Sequence, residues 1–267
     1  MFVREMITSE KHHGELMALL KTCAKRKDIY VGSRLHAYIM ENGRLLEQNP
    51  YLASGLISMY AKCACFESSG VVFDRMVSKD VVTWNAIIGS VLGQCRYERI
   101  LNLFHEMQKE RVEPNAITLL SGFKACIGMR SSLQGFFMHE LAIELGLESN
   151  TFVASTAMDM YAKCGDIESA ETLFSRIHNR NLAVWNVLIT AYARNGFSHE
   201  AVSLLQQMYQ EGIEPDKVTW TALITGQVQD GHAEAAMQLL KHMREKDIEL
   251  DNIMFISVLQ ACSSLAD

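Results

Sequence analysis

Short polar side chains recur along the chain inside stretches whose apolar residues follow a helical period. They are Ser54, Asn85, Ser155, Asn186 and Thr221. Serine, asparagine and threonine are mediocre helix formers, and nothing in the neighbouring sequence calls for them on an interior turn. Their hydroxyl and amide groups offer hydrogen-bond donors and acceptors. The series is therefore suited to recognising the polar edge of a ligand.

Residue patterns for catalysis or metal binding are incomplete. His13-Gly14-Glu15 matches the H-x-E half of a zinc nucleobase deaminase, but the P-C-x-x-C half does not occur in the sequence. Cys63-Ala-Cys65 alone cannot supply four zinc ligands. The glycine-rich phosphate loops and the G-x-S-x-G nucleophile motif are also missing. We therefore expect no catalytic residue, no metal site and no cofactor, and we do not expect an enzyme.

The composition limits the class of partner. The net charge is −6, which counts against a generic nucleic-acid binder, although it leaves room for a positive groove. Five of the seven cysteines fall at recurring positions where a small buried hydrophobe is expected, and an odd number of cysteines fits a reducing compartment. No apolar run approaches the roughly 20 residues of a membrane span, so a membrane partner is not expected.

The stretch 182–216 predicts a helical hairpin. One apolar stripe has the spacing of three and four that marks a helix face, at Trp185, Leu188, Ile189 and Tyr192. A second stripe follows at Ala201, Leu204, Leu205 and Met208. Gly196 and Gly212 should end the two helices, because glycine adopts a left-handed backbone at little cost. Two short helices cannot bury both stripes alone, so the hairpin needs stacked neighbours.

Such neighbours recur along the whole chain in units of 31, 35 or 37 residues, with all three tryptophans at the fourth position of a unit. The expected units are 13–49, 50–80, 81–115, 116–150, 151–181, 182–216 and 217–251, preceded by the tail of another unit in 1–12 and followed by a partial unit in 252–267. Repeat arrays normally close with polar capping units, and both ends here lack one. We therefore expect the chain to be a segment of a longer protein or a truncated gene product.

The units carry signature segments of three kinds. YLASGLISMYAKC and TFVASTAMDMYAKC mark short units, LLKTC, GFKAC and VLQAC mark longer ones, and VVTWNAII with VEPN marks a standard one. This series resembles pentatricopeptide repeat proteins of the plant organellar class, whose repeats cycle through standard (P), longer (L) and short (S) forms. The L repeats would be 13–49, 116–150 and the partial 252–267; the S repeats 50–80 and 151–181; the P repeats 81–115, 182–216 and the P-like 217–251. The tetratricopeptide family, the nearest alternative, keeps a period of about 34 throughout.

The resemblance implies an all-α fold, a right-handed α-solenoid superhelix of stacked helix-turn-helix hairpins whose first helices line the concave side. It also implies that one RNA base is read per repeat. The fifth and last residues of a P or S repeat would contact the Watson–Crick edge of the base, and the second residue would pack on its face. The fifth and last residues are Ser54 with Asp80, Asn85 with Asn115, Ser155 with Asn181, Asn186 with Asp216, and Thr221 with Asp251. The second residues are Tyr51, Val82, Phe152, Ala183 and Val218.

The family's correspondence gives each pair a preferred base. Ser or Thr with Asp favours G, Ser with Asn favours A, Asn with Asp favours U, and Asn with Asn favours C or U. Read 5′ to 3′ along the chain, the expected core is an unread position, G, C or U, an unread position, A, U and G. The fifth residues of the L repeats, Met17, Leu120 and Ile256, cannot hydrogen-bond a base, so these repeats are expected to space the array or to meet protein partners.

The resemblance therefore implies a monomeric, sequence-specific single-stranded RNA-binding protein of the mitochondrion or chloroplast. Within organellar RNA processing it points to site recognition for C-to-U editing, with editing-factor proteins or a DYW-type deaminase acting in trans. Two alternatives stay open. The Asn or Asp that ends each unit also suits the N-cap of the next helix. The array could also be a protein-interaction scaffold of the tetratricopeptide kind, without base reading.

Overall fold

A computed structural model describes residues 12–41, 49–178, 180–250 and 252–266 of the chain. These residues form fifteen helices joined by turns, and no strand lies among them. The chain divides into two compact units, Met1–Met129 and Arg130–Asp267. The expected all-α class is confirmed.

The first unit consists of helical hairpins. Its helices are α1 (His12–Arg26), α2 (Ile29–Glu41), α3 (Pro50–Lys62), α4 (Phe66–Asp74), α5 (Val81–Leu92), α6 (Tyr97–Lys109) and α7 (Ala116–Met129). The first helices of the hairpins, α1, α3, α5 and α7, pack against one another in a row. Each second helix packs on its own first helix and on the first helix that follows, so every hairpin buries its apolar stripes against a neighbour.

The second unit follows the same plan. Its helices are α8 (Ser132–Glu144), α9 (Thr151–Lys163), α10 (Ile167–Arg176), α11 (Leu182–Arg194), α12 (Ser198–Gln210), α13 (Lys217–Gln229), α14 (Ala233–Glu245) and α15 (Asn252–Ala266). The row of first helices consists here of α9, α11, α13 and α15, and α8 packs on α9. The expected stacking of hairpins is therefore found in each unit.

The first helices begin where repeats are expected to begin, with one exception. Helix α1 begins at His12, one residue before the expected start at His13. Residues 1–11 of the expected leading tail lie outside the described residues, as do 42–48, Asn179, Asp251 and Asp267. The repeat boundaries therefore stay a prediction.

Side-chain caps fix the starts of the first helices. Asn49, Asp80, Asn150, Asn181 and Asp216 each accept backbone N–H groups from the first turn that follows. Asn115 does the same for α7, accepting from the Thr118 N–H at 3.2 Å. A cap of this kind contributes about 0.5–2 kcal/mol. The capping role is confirmed for every described unit-ending Asn or Asp, whereas Asp251 lies outside the described residues.

The turns inside the hairpins need a left-handed backbone. Gly196 adopts it between α11 and α12, with φ of 82°, and Gly212 adopts it after α12, with φ of 75°, as their expected roles in ending these helices require. Three other hairpins make the turn between their two helices with a residue that is not glycine, at φ between 55° and 59°: Lys27, Ala64 and Cys95. The hairpin thus imposes this conformation even where the sequence carries no glycine signal.

The tryptophans form the centre of the packing. Trp84, Trp185 and Trp220 are at most 2% exposed. Phe73 in α4 packs edge-on against Trp84, and Phe174 in α10 packs edge-on against Trp185, with ring centroids 4.8 Å apart in both pairs. Edge-on aromatic pairs of this kind stabilise the fold by more than the burial of their apolar area alone. They connect a second helix to the first helix of the next hairpin.

The described residues show three further features. No described helix combines the length and apolar character needed to cross a bilayer. Within the same residues, no cluster of three or more His, Cys, Asp or Glu side chains could hold a metal ion. All seven cysteines are free. Of the five at recurring positions, Cys23 and Cys126 are buried as expected, Cys63 and Cys164 are half-buried, and Cys262 is exposed.

A histidine and a tyrosine pair at two equivalent junctions. His36 in α2 bonds through Nδ1 to the Tyr60 hydroxyl at 2.8 Å, and His139 in α8 bonds to the Tyr161 hydroxyl at 3.2 Å. Burial lowers the pKa of both imidazoles, and the Arg75 guanidinium lowers the pKa of His36 further. His36 and His139 hold the same position in the expected units 13–49 and 116–150, and their recurrence favours a packing or polar-face role over catalysis.

We expect the free energy of unfolding to decrease as the pH is lowered from about 7.5 to about 5.5. The unfolded chain protonates these imidazoles near pH ~6.5, whereas the folded chain does so only at lower pH. Their contribution is therefore complete above that pH and is lost below it. Urea denaturation at both pH values measures the change, and a His36→Gln/His139→Gln variant should lose less. Equal losses in both proteins would contradict this assignment.

Candidate functional site

Two of the expected base-reading pairs are brought together by the fold. Asn85 in α5 donates from Nδ2 to Asn115 Oδ1 at 3.1 Å, and Asn186 in α11 donates from Nδ2 to Asp216 Oδ1 at 3.0 Å. The partners in each pair are 30 residues apart in sequence. They meet because Asn115 and Asp216 start the first helix that packs beside the helix carrying Asn85 or Asn186. Both pairs are half-buried.

A buried threonine completes each pair. Thr118 donates from Oγ1 to Asn85 Oδ1 at 2.7 Å, and Thr219 donates from Oγ1 to Asn186 Oδ1 at 2.5 Å. Each threonine hydroxyl also contacts the capping residue of its own helix, at 3.1 Å. Because the asparagine oxygen is taken by the threonine, the amide nitrogen must face the capping residue. The sequence prediction missed these threonines, although a threonine recurs at the third position of these units.

The capping oxygen of Asp216 is shared among several donors. Oδ1 accepts from the Thr219 N–H at 3.0 Å, from the Thr219 hydroxyl and from the Asn186 amide. Burial alone would raise the pKa of Asp216, but the Thr219 N–H, the Asn186 amide and the Thr219 hydroxyl together lower it below its usual range. The pair therefore presents an ionised carboxylate oxygen beside an amide with a second N–H donor.

The serine pairs are arranged differently. Ser54 and Ser155 donate to backbone carbonyls of their own helices, those of Tyr51 and Phe152. Neither serine is hydrogen-bonded to its expected partner, Asp80 or Asn181, within the described residues, and both partners act as caps. Ser54 is only 8% exposed, whereas Ser155 is half-buried. Their hydroxyls are too short to span the distance that an asparagine amide covers.

The last expected pair is described only in part. Thr221 in α13 is half-buried, and its hydroxyl donates to the Lys217 carbonyl at 2.7 Å. Its expected partner, Asp251, lies outside the described residues.

The residues expected to pack on bases are all exposed. Tyr51 and Phe152 are 65% and 76% exposed, and Val82, Ala183 and Val218 are also exposed. Each lies in the first turn of a first helix, α3, α5, α9, α11 or α13. Aromatic and aliphatic side chains in this position offer an apolar face against which a base can stack.

A cleft between α11 and α13 combines these features. It has a volume of about 420 Å³, and both Val218 and Thr221 line it. Arg194 and Lys217 bring positive charge to the same cleft, although the chain as a whole is acidic. The helices approach closely there because residue 226 is a glycine: a Cβ at this position would lie 2.8 Å from the Cβ of Ala193. The cleft thus offers an apolar face, a hydroxyl and cations to one ligand.

Sequence comparison identifies the family. A family model described as the PPR repeat family matches residues 79–127, 180–227 and 215–264, and a second PPR repeat model matches residues 152–182. Together these matches include more than half of the chain. The chain belongs to the pentatricopeptide repeat family. Its recurring hairpins are therefore pentatricopeptide repeats, as the signature segments predicted.

Several pentatricopeptide repeat proteins of Arabidopsis thaliana are similar to this one. A putative pentatricopeptide repeat-containing protein is 33% identical over 218 residues, which include 81% of this chain and 30% of that protein. A chloroplastic relative is 36% identical over 203 residues, with 75% and 24% of the two chains covered. A mitochondrial relative is 35% identical over 202 residues, with 76% and 19% covered. This pentatricopeptide repeat chain thus spans less than a third of each of these relatives.

Solved structures show the same fold. The crystal structure of the pentatricopeptide repeat protein PPR10 from maize superposes with a TM-score of 0.76 at 18% identity, over 92% of this chain and 36% of PPR10. PPR10 in complex with an 18-nt psaJ RNA element gives a TM-score of 0.78 at 17% identity, over 93% and 38%. The likeness confirms a pentatricopeptide repeat fold built of stacked helical hairpins.

Proposed function

We propose that this chain binds single-stranded RNA and reads one base with each P or S repeat. The observation that carries the proposal is the pairing of Asn186 with Asp216, repeated by Asn85 with Asn115. In each pair a buried threonine from the next repeat fixes the asparagine, so that the fifth and last residues of one repeat form one preorganised contact. The maize PPR10 complex, a structure of the same fold with RNA, supports this ligand class.

The chemistry of the Asn186–Asp216 pair favours uracil. Uracil presents an N3–H donor flanked by carbonyl acceptors, which matches the carboxylate of Asp216 beside the amide of Asn186. Cytosine presents an acceptor at N3, which would face the lone pairs of the ionised carboxylate. An asparagine in place of the aspartate, as at Asn115, offers a donor as well as an acceptor, so the Asn85–Asn115 repeat accepts either pyrimidine.

The proposed setting is RNA processing in a chloroplast or mitochondrion. Relatives of this chain are named as chloroplastic and mitochondrial proteins. The alternation of unit lengths and signatures supports a P-L-S array, and on that ground we propose that the chain recognises a C-to-U editing site. Editing-factor proteins or a DYW-type deaminase in trans would then complete the reaction.

A protein-docking role is the second candidate function. Leu133, Phe136 and Phe137 in α8 are exposed large apolar side chains on the second helix of an expected L repeat. The expected docking strip of fifth residues is less uniform, since Met17 and Leu120 are half-buried and Ile256 is exposed. Docking at L repeats is compatible with base reading by the others.

The proposal is tested with labelled RNA that carries G, a pyrimidine, any base, A, U and G in this order. Fluorescence anisotropy at low salt compares it with a scrambled strand of the same composition. We expect the matched strand to bind at least about tenfold more tightly, on the scale of one well-made base contact. Affinity should fall with added salt, because cations such as Arg194 and Lys217 release counterions when they contact phosphates. Equal affinity for both strands would refute base reading, and binding to neither would favour the docking role.

A further inference from the structure

A cationic residue, Arg180, follows the hairpin α9–α10 and directly precedes Asn181, the N-cap residue of α11 that is proposed to contact a base. The Arg180 guanidinium lies 4.4 Å above the ring centroid of Phe174. Nη1 is 2.6 Å from Glu211 Oε1, and Nε donates to the Phe174 carbonyl at 3.1 Å. The side chain is therefore held on an aromatic face, by an ion pair and by a backbone acceptor at the same time.

The hairpin α3–α4 repeats the arrangement with a lysine. Lys79 precedes Asp80, and its Nζ lies 5.2 Å from the ring centroid of Phe73 and 3.1 Å from Glu110 Oε1. The side chains of Lys79 and Arg180 are 16% and 22% exposed, against 50% for Arg99 in its surface pair with Glu106. Recurrence of the same contacts in two hairpins argues against an incidental surface pair.

Each cation connects three helices. Phe174 belongs to α10 and packs on Trp185 of α11, and Glu211 is the C-cap of α12. Phe73, Trp84 and Glu110 hold the same places in α4, α5 and α6. The cation therefore fixes the end of one hairpin against both helices of the next. It does so one residue before the side chain that starts the next first helix.

Proline holds the corresponding place elsewhere. Pro114 precedes Asn115 and Pro215 precedes Asp216, and both prolines are buried. Proline restricts its own φ to a narrow range, so it fixes the path of the chain into the cap. Residues 79 and 180 are not proline. The cation contacts there supply the restraint that the proline ring supplies before Asn115 and Asp216.

Asn181 depends on such a restraint more than Asp216 does. Asp216 is held by Thr219 and by Asn186. Asn181 is exposed and bonds to the Val184 N–H at 3.1 Å, and Ser155 does not reach it. We infer that Arg180 and Lys79 are positioning residues for base reading, each holding the cap that follows it in place for its base. This inference rests on the proposed function.

The test compares base preference repeat by repeat. Arg180→Met keeps the length and apolar stem of the side chain but removes its charge. It should lower the preference for A opposite repeat 151–181 by at least about threefold, a loss well within the range of one base contact. The preference for U opposite repeat 182–216 should not change. Arg180→Lys, which places at 180 the residue found at 79, should retain the preference for A.

Two further variants keep the test independent of folding. Glu211→Gln removes the ion pair but leaves Arg180 on Phe174, and it should lower the same preference to a smaller extent. Arg99→Met removes the cation of the exposed pair and should alter no preference. If thermal unfolding shows that Arg180→Met is not folded at the assay temperature, Glu211→Gln and Lys79→Met decide the outcome.

Two results would overturn the inference. One is an unchanged preference for A in the folded Arg180 variant, or unchanged preferences in both Glu211→Gln and Lys79→Met. The other is an equal loss of affinity for every RNA, which would make the cations generic phosphate contacts. A wild-type chain without any base preference would instead refute the proposed function, and the inference with it, before any variant is compared.

Discussion

Replacing Asn186 with threonine should move the base preference of repeat 182–216 from U towards G by about tenfold or more. The substitution removes the amide that holds and complements Asp216. The carboxylate then faces the base without its neighbouring N–H donor. Guanine offers two adjacent N–H donors to a carboxylate, whereas uracil offers one. Affinities for four RNAs that differ only at this base measure the shift.

Asn195→Thr is the matched control for this substitution. Asn195 ends the same helix as Asn186, and its amide donates to the Ala191 carbonyl at 2.8 Å. The chemical change is identical, but it lies outside the pair, so the base preference should stay with U. An equal loss of affinity for all four RNAs in Asn186→Thr would show that Asn186 supports the fold without reading the base.

Replacing two aromatic residues of neighbouring repeats with alanine should have different effects: one substitution should lower the stability of the fold, and the other should weaken RNA binding. Trp185→Ala should lower the free energy of unfolding by about 3–5 kcal/mol, because the indole is fully buried and packs on Phe174. Phe152→Ala should change it by less than about 0.5 kcal/mol, because the ring is largely exposed. The same Phe152 variant should weaken RNA binding by about 1–3 kcal/mol, the contribution of one stacked base.

Urea denaturation and RNA titration of both variants separate these roles. A Phe152→Ala protein that unfolds more easily but keeps its RNA affinity would assign the exposed second residues to the fold. In that case Tyr51, Val82, Ala183 and Val218 would lose their proposed contact with bases as well.

Local signals explain how much of the fold could be predicted. Apolar spacing and the Asn or Asp caps act within one or two turns of helix, so they place the starts of α3, α5 and α11 without knowledge of the neighbours. The turns at Lys27, Ala64 and Cys95 could not be predicted from such local signals. Their left-handed backbone is set by the hairpin packing, and their side chains carry no preference for it.

The candidate site was predictable only in outline. Recurrence and family resemblance single out Asn186 and Asp216, but the Thr219 hydroxyl that joins them comes from the next repeat, 33 residues from Asn186. Burial of Ser54 likewise depends on the packing of α3 between α1 and α5. The inferred positioning role of Arg180 could not be predicted from the sequence, because it depends on contacts with Phe174 and Glu211, which only the fold brings next to Arg180.

Under the proposed function, the oxygen that Asp216 shares between its helix and Asn186 would limit how such a chain can acquire a new RNA target. A substitution at this residue would alter both the start of α13 and the proposed contact with a nucleotide. Few amino acids begin a helix well, chiefly Asn, Asp, Ser and Thr. Only a few residue types are therefore compatible with the last position of each repeat. The fifth position, which starts no helix, is freer to vary when a transcript changes.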